Sequence, residues 1–167
     1  MSVLDTLLLV QERDTALDRL RHRRDALPAR SELAAREADV ATRTGQVAEL
    51  RRARDEVLVE ERRLDDEASG LETRAKDAEQ KLYSGTVSSP RELQAMQADI
   101  DMLKRNRDGI EDRELEIMER REQLDQELAV AESALAEAVA EVQRLGGVVQ
   151  EAEREIDDEI AAETQAR

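Results

Sequence analysis

The chain has 167 residues and a net charge of −15, and 40% of its side chains are charged. Phe and Trp are absent and Tyr83 is the only aromatic residue, although aromatic side chains normally supply much of a compact core. The chain holds only 6 Gly and 2 Pro, too few for a turn-rich β fold, and no Cys for a disulfide or a thiolate metal site. This composition argues against a compact enzyme and is typical of long helices and coiled coils.

The sequence does not support a catalytic protein or a membrane-bound protein. His22 is the only histidine, it lies in a charged stretch, and no Gly-rich phosphate loop is present. No apolar run approaches the roughly 20 residues of a membrane span, and the first residues lack a basic start and a cleavage site. We therefore predict a cytoplasmic, non-enzymatic protein with no catalytic residue, no metal site, no cofactor of its own and no membrane partner.

The first predicted helical segment, residues 2–27, begins with more apolar surface than a two-stranded coiled coil needs. In a hairpin register its partners would lie at about 163–170, where the sequence ends. We interpret Leu4 and Leu8 as candidate partner-binding residues. The surface would meet a protein partner, a second protomer or another domain, and the alternative is a third helix that closes this open end.

The same segment contains the only candidate nucleic-acid contacts. They are four arginines, Arg19, Arg21, Arg23 and Arg24. Aspartates at positions 14, 18 and 25 lie close enough to neutralise much of this charge, so a solvated helix face is the favoured interpretation. A chain this acidic, without an aromatic stacking platform, is a poor direct ligand for nucleic acid.

Two long helices are predicted over residues 30–82 and 91–162. In the second, two rows at seven-residue steps begin at Leu93 and Met96, and 16 of their 20 positions are apolar. The first helix carries its own rows, through Val47 and Leu64 among others. Such rows fill the a and d positions of a coiled coil. The acidic stretch 151–159 is interpreted as a partly frayed helix end, with attraction of a basic partner as the alternative.

Residues 83–90 connect the two long helices. Gly85 suits a helix C-terminus with positive φ, and Ser89, Pro90 and Glu92 suit the N-cap, N1 and N3 positions of a capping box. So short a connection makes the helices antiparallel neighbours in an αα-hairpin. The exposed tip supplies three further candidate partner-binding residues, Tyr83, Val87 and Arg91.

A symmetric fold about the tip predicts a register in which residue i faces about residue 173 − i. Arg54 and Glu61 then face about positions 119 and 112, among other polar residues of the opposite row. Pro28 falls opposite Gly146-Gly147, which predicts a kink at this level in both helices. The predicted architecture is all-α: a long antiparallel coiled-coil hairpin forming a single elongated domain over residues 1–167.

The tip resembles a known bacterial family of coiled-coil hairpin proteins that carry a C4-type zinc ribbon. Their tip pattern is Tyr-x-Gly-x-x-x-Asn-Pro-Lys-Glu-Leu. The matching residues here are Tyr83, Gly85, Pro90, Glu92 and Leu93, while Ser89 replaces Asn and Arg91 replaces Lys. The N-terminal stretch with Leu17, Asp18, Leu20 and Leu27-Pro28 is also similar, so the resemblance spans essentially the whole chain.

The resemblance implies a C-terminal ribbon in which two Cys-x-x-Cys pairs hold one zinc. This sequence has no Cys and ends at Arg167, so we expect that the ribbon has been cut off, the alternative being a member without one. Zinc is expected only if the full-length protein carries the ribbon. Family members are implied to bind nucleic acid mainly through it, and some act as adaptors or chaperones toward an alternative sigma factor, flagellar regulation or secretion.

Two functional hypotheses follow. The leading one is a non-enzymatic interaction scaffold or adaptor that presents its tip and open end to protein partners, as the stalk of a zinc-ribbon protein linked to transcription or secretion. The alternative is a nucleic-acid-binding protein whose binding resides mainly in the missing ribbon. A homodimer that uses the same apolar rows stays open under both.

Overall fold

The computed structural model describes residues 3–85 and 89–166, and three helices cover nearly all of them. Helix α1 spans Val3–Asp25, α2 spans Pro28–Tyr83 and α3 spans Pro90–Ala166. These described ranges contain no strand, and the contacts between α2 and α3 are antiparallel. The prediction of an all-α coiled-coil hairpin is therefore confirmed.

The ends of the helices follow the local chemistry of the sequence. Gly85 has φ of 73°, a left-handed conformation that glycine adopts without steric cost, and it lies just past the end of α2. Pro90 is the first residue of α3, and the Leu93 amide donates the first helical hydrogen bond to the Ser89 carbonyl at 3.0 Å. Both features match the prediction for the tip.

The chain divides into two compact units, which are described in turn, and its treatment as one domain stays a prediction. The first unit, over residues 46–131, contains the coiled-coil seam next to the tip. Leu64 is 1% exposed there and packs in one cluster with Ala68 and Ile110. The partly buried Leu71 and Ile117 pack against this cluster. All five occupy the predicted apolar rows, and burial of these rows holds α2 and α3 together.

Ion pairs show that the register of this unit differs from the symmetric prediction. Glu61 receives a hydrogen bond from Arg121 at 2.7 Å, not from a residue near 112, and Arg54 pairs with Asp125 at 3.0 Å instead of facing 119. The shift is about one heptad. Because the rows repeat every seven residues, a shift of this size returns apolar residues to apolar neighbours. Polar seam residues still meet polar partners, as expected.

The second unit comprises described residues 3–45 and 132–166. Buried apolar side chains from α1 and α3, including Leu17, Leu145 and Ile156, form its seam. Cross-helix ion pairs flank this seam. They join Arg13 to Glu163, Arg23 to Glu159, Arg24 to Asp157 and Arg30 to Glu153. Both α1 and the start of α2 therefore lie against the last part of α3.

The helix is broken at the predicted joint before Pro28, but not at Gly146-Gly147. The chain leaves the helical conformation at Ala26 and Leu27, directly before Pro28, because proline cannot donate the hydrogen bond that would continue α1. Helix α3 is uninterrupted through Gly146-Gly147. Moreover, Arg30 pairs with Glu153, so the shifted register moves Pro28 away from the glycines. Helix α3 therefore has no break at Gly146-Gly147, and the kink predicted there stays a prediction.

The acidic C-terminal stretch is also better ordered than predicted. Helix α3 continues to Ala166 and is not frayed over residues 151–162. Three carboxylates of the stretch 151–159, and Glu163 just beyond it, accept hydrogen bonds from arginines of α1 and α2. The basic partner that the sequence left open is thus the N-terminal part of the same chain.

Candidate functional site

Tyr83 is the most exposed large hydrophobic side chain among the described residues. It is 81% exposed, although it is the last residue of α2 and lies next to the half-buried Leu82. Beside it lies an open groove of about 490 Å³ lined by Lys76, Glu79, Gln80 and Ser84. An exposed aromatic ring with a phenolic hydroxyl, flanked by charged and amide groups, is well suited to contact another protein.

One wall of this groove is fixed from the opposite helix. The Lys104 ammonium of α3 donates to Glu79 at 2.5 Å, and this hydrogen bond raises the pKa of Lys104 above its ordinary value. The same groove does not include Arg91, which is exposed on the first turn of α3. Val87, the third predicted tip residue, lies outside the described residues. The assignment of all three as partner-binding residues stays a prediction.

The start of α1 carries the second candidate surface. Leu4, Leu7, Leu8 and Leu9 are 70%, 61%, 58% and 47% exposed. Leu8 also lines an open groove of about 420 Å³ with Gln11, Glu12, Thr15 and Arg19. No described helix covers these leucines, and the alternative of a third helix that closes the open end stays untested. Their role in binding a partner stays a prediction.

The four arginines of α1 do not form a free cationic patch. Arg21 donates to Asp18 at 3.3 Å, as the sequence suggested, but Arg23 and Arg24 reach across to α3. The Arg24 guanidinium donates to Asp157 at 2.7 Å, and this hydrogen bond raises the pKa of Arg24. Arg19 alone lines the groove beside Leu8. Phosphate contact through Arg23 or Arg24 would require breaking these ion pairs.

Charged pairs also occupy the middle of the seam next to the tip. Glu61 is among the least exposed charged side chains, at 17%, and it accepts from Arg121. Arg107 donates to Glu72, and hydrogen bonds from Arg107 and Lys76 lower the pKa of the Glu72 carboxyl. The sequence marked polar residues in these rows but not their pairings, because pairings depend on the register.

Several apolar side chains are exposed on the outer faces of the helices and were not among the predicted site residues. Val130 is 72% exposed, Val59 66% and Leu115 58%. Leu115 and Met118 line an open groove of about 350 Å³ with Glu119, Glu122 and Asp125. These positions lie outside the a and d rows, and an apolar residue off the rows is the signal that would have found them.

The described residues offer little that would support chemistry. No group of three or more His, Cys, Asp or Glu side chains among residues 3–85 and 89–166 is arranged to hold a metal ion. The shifted pKa values belong to ion pairs, such as Glu72 with Arg107 and Lys104 with Glu79, and not to groups enclosed in a pocket. No helix in the described part of the chain is long and apolar enough to cross a membrane.

The fold and these surfaces define a coiled-coil hairpin with an exposed tip and an exposed apolar start. The chain belongs to the CT398-like coiled coil hairpin domain family, whose model matches residues 10–167. It is 28% identical over 151 residues to two uncharacterised proteins of Mycobacterium tuberculosis, MT2288 in strain CDC 1551 / Oshkosh and Rv2229c in strain H37Rv.

These relatives are longer than the chain. The match covers 82% of this chain, and the chain spans 61% of the length of the curated relatives it matches. A solved structure from Mycobacterium smegmatis has a TM-score of 0.84 to this chain at 21% identity, covering 93% of this chain and 63% of its own. The likeness to that structure shows the same fold.

Proposed function

We propose that this chain is a non-enzymatic, cytoplasmic interaction scaffold that binds a protein partner through its hairpin tip. The observation that carries the proposal is Tyr83. It is the only aromatic residue of the chain, and it stands 81% exposed beside a groove whose Glu79 wall is fixed by Lys104. The core contains no aromatic side chain. The single aromatic residue, Tyr83, lies on the surface instead, and aromatic side chains are enriched in binding surfaces.

The rest of the described chain supports a scaffold over an enzyme. The apolar burial runs along helix–helix seams, as at Leu64 and Ile156, and the grooves found on the described helices are open. Catalytic groups normally have pKa values perturbed inside a pocket. Here the shifts arise from ion pairs such as Glu72 with Arg107.

The test removes the tip side chains without touching the seam. Tyr83→Ala combined with Arg91→Ala should abolish partner capture from a lysate of the native host, with circular dichroism unchanged. The matched control combines Val59→Ala with Arg120→Ala, since both residues are exposed on the outer faces of α2 and α3. Capture that survives in the tip variant, or that disappears equally in the control, would contradict the proposal.

We further propose that the hairpin is the coiled-coil part of a zinc-ribbon protein linked to transcription or secretion. Two observations support this: the tip pattern from Tyr83 to Leu93, and the greater length of the relatives. The described residues do not themselves fit a zinc site, so the metal would be held outside the hairpin. Nucleic acid would then be a candidate partner of the ribbon.

Intact mass and zinc content of the protein made from its complete reading frame test this second proposal. A mass well above 18.9 kDa with one zinc per chain is expected. A mass of 18.9 kDa without zinc would contradict the ribbon and leave the tip proposal to be judged by its own experiment.

A further inference from the structure

The apolar rows of the unit next to the tip do not by themselves fix the register of α2 against α3. On α3 the row Leu103, Ile110, Ile117 and Leu124 repeats every seven residues, and on α2 the row through Leu64 and Leu71 does the same. A slip of one heptad therefore exchanges one apolar neighbour for another. Apolar packing alone leaves such slipped registers close in energy.

The charged seam residues remove this degeneracy. In the structure Glu61 faces Arg121. A slip of one heptad toward the symmetric register would place Glu61 opposite Glu114, which lies one heptad before Arg121 on α3. Because the helices are antiparallel, the same slip would bring Arg54, one heptad before Glu61, opposite Arg121. Two attractive contacts would become two repulsive ones.

A slip in the opposite direction is penalised by other groups. Glu72, which accepts from Arg107, would face Glu114, one heptad further along α3. Glu79, which accepts from Lys104, would face Glu111. Like charges held opposite each other in a seam destabilise that pairing, which offsets the attraction that the same slip would create between Arg107 and Glu79.

We propose that these ion pairs form a register lock, defined by Arg54, Glu61, Glu72, Arg107 and Arg121 with Glu114 as the repelling residue of the slipped states. The lock keeps α3 shifted along its axis relative to α2 by one heptad, about 10 Å, from its position in the symmetric register. Polar residues at seam positions are known to specify register in coiled coils at a cost in stability.

The lock has a consequence at the tip. Since Lys104 pairs with Glu79, the end of α2 at Tyr83 lies level with about residue 100, and Arg91 lies about 13 Å further along α3. A slip to the symmetric register would reduce this axial separation to about 3 Å. If the tip is the binding surface proposed above, the lock sets the spacing of its two predicted contact residues.

The experiment measures the register directly and needs no partner, so its failure is separate from failure of the proposed function. The chain has no Cys, so two introduced cysteines are the only thiols. Ala68→Cys with Ile110→Cys reports the observed register, because both residues lie in one buried cluster. Ala68→Cys with Leu103→Cys reports the slipped one. Disulfide yields are compared in a reversible thiol buffer.

The decisive variant exchanges two charges on α2, Arg54→Glu with Glu61→Arg. It keeps composition and net charge. In the observed register it places like charges opposite Asp125 and Arg121, and in the slipped register it places opposite charges facing Arg121 and Glu114. We expect the 68–110 disulfide to fall at least fivefold and the 68–103 disulfide to become dominant. Adding Asp125→Arg with Arg121→Glu should restore the 68–110 product.

The control exchanges a charge pair that lies within one helix. Asp39 and Arg43 pair with each other at 2.8 Å along α2, so Asp39→Arg with Arg43→Asp should leave the 68–110 product unchanged. An unchanged disulfide pattern in the Arg54 and Glu61 exchange would overturn the proposal, because apolar packing or the tip would then fix the register. Loss of helicity without the 68–103 product would also overturn it, since the seam would not accept the slipped register.

Discussion

Truncation of a fully buried seam residue in the unit next to the tip gives a quantitative test of the packing. Leu64 is 1% exposed and contacts the cluster of Ala68 and Ile110. Leu64→Ala removes three carbon groups at about 0.8 kcal/mol each, or about 2.4 kcal/mol of transfer free energy. Incomplete collapse of the cavity adds to this, which brings the expected loss of unfolding free energy to about 3 kcal/mol.

The assay is thermal and urea unfolding followed by circular dichroism. For a chain of this size the loss corresponds to a decrease in Tm of about 6–12 °C. Leu115→Ala is the matched control, because Leu115 is 58% exposed on α3 and should cost about 0.5 kcal/mol or less. Equal losses for Leu64→Ala and Leu115→Ala would refute the assignment of the buried seam.

Three further predictions concern the tip, the glycine pair and the pH response. Gly85→Ala should cost about 1 kcal/mol in thermal unfolding because φ is 73° there, whereas Gly146→Ala should stabilise by about 0.5–1 kcal/mol, since a Cβ there meets no atom within 4 Å. Destabilisation by Gly146→Ala would indicate that this site needs glycine. Hydrogen bonds from Arg107 and Lys76 lower the pKa of Glu72 from its ordinary value of 4.5, so its stabilising contribution is present above that pH and is lost as the pH falls through the lowered pKa. Glu72→Gln should therefore reduce the fall in urea midpoint between about pH 6 and pH 3, and an unchanged fall would contradict this role.

Local chemistry made the hairpin and its tip predictable. The heptad rows through Leu64 and Leu103 define which faces of the helices are buried, because only a seam of this period buries apolar residues continuously. Gly85 and Pro90 mark the ends of α2 and α3 through backbone constraints that need no tertiary information. The observed φ of Gly85 and the start of α3 at Pro90 agree with both.

The register was not predictable from the same rows. A seven-residue repeat returns the same apolar pattern after each heptad, so a symmetric fold about the tip looked self-consistent although Glu61 pairs with Arg121. The symmetric register also placed Pro28 opposite Gly146-Gly147, whereas in the observed register these residues do not face each other. Which carboxylates of α3 pair with Arg23 and Arg24 also depends on the register. From the sequence alone, the nearby aspartates of α1 were the expected partners of these arginines.

The candidate site was predictable only as a set of residue types. The exposed position of Tyr83 was expected from the tip, whereas the ion pair between Lys104 and Glu79 beside it depends on the register. The exposed leucines of α1 were anticipated because their number exceeds what one seam can bury.

The central claim is that the hairpin tip engages a protein partner, and site-specific photo-crosslinking tests it most directly. A photoreactive amino acid replaces Tyr83 in the complete protein expressed in its native host, and a second version carries it at Val130, which is 72% exposed on α3. We expect one discrete protein adduct at position 83 that is absent at position 130. The same adducts at both positions, or none at position 83, would contradict it.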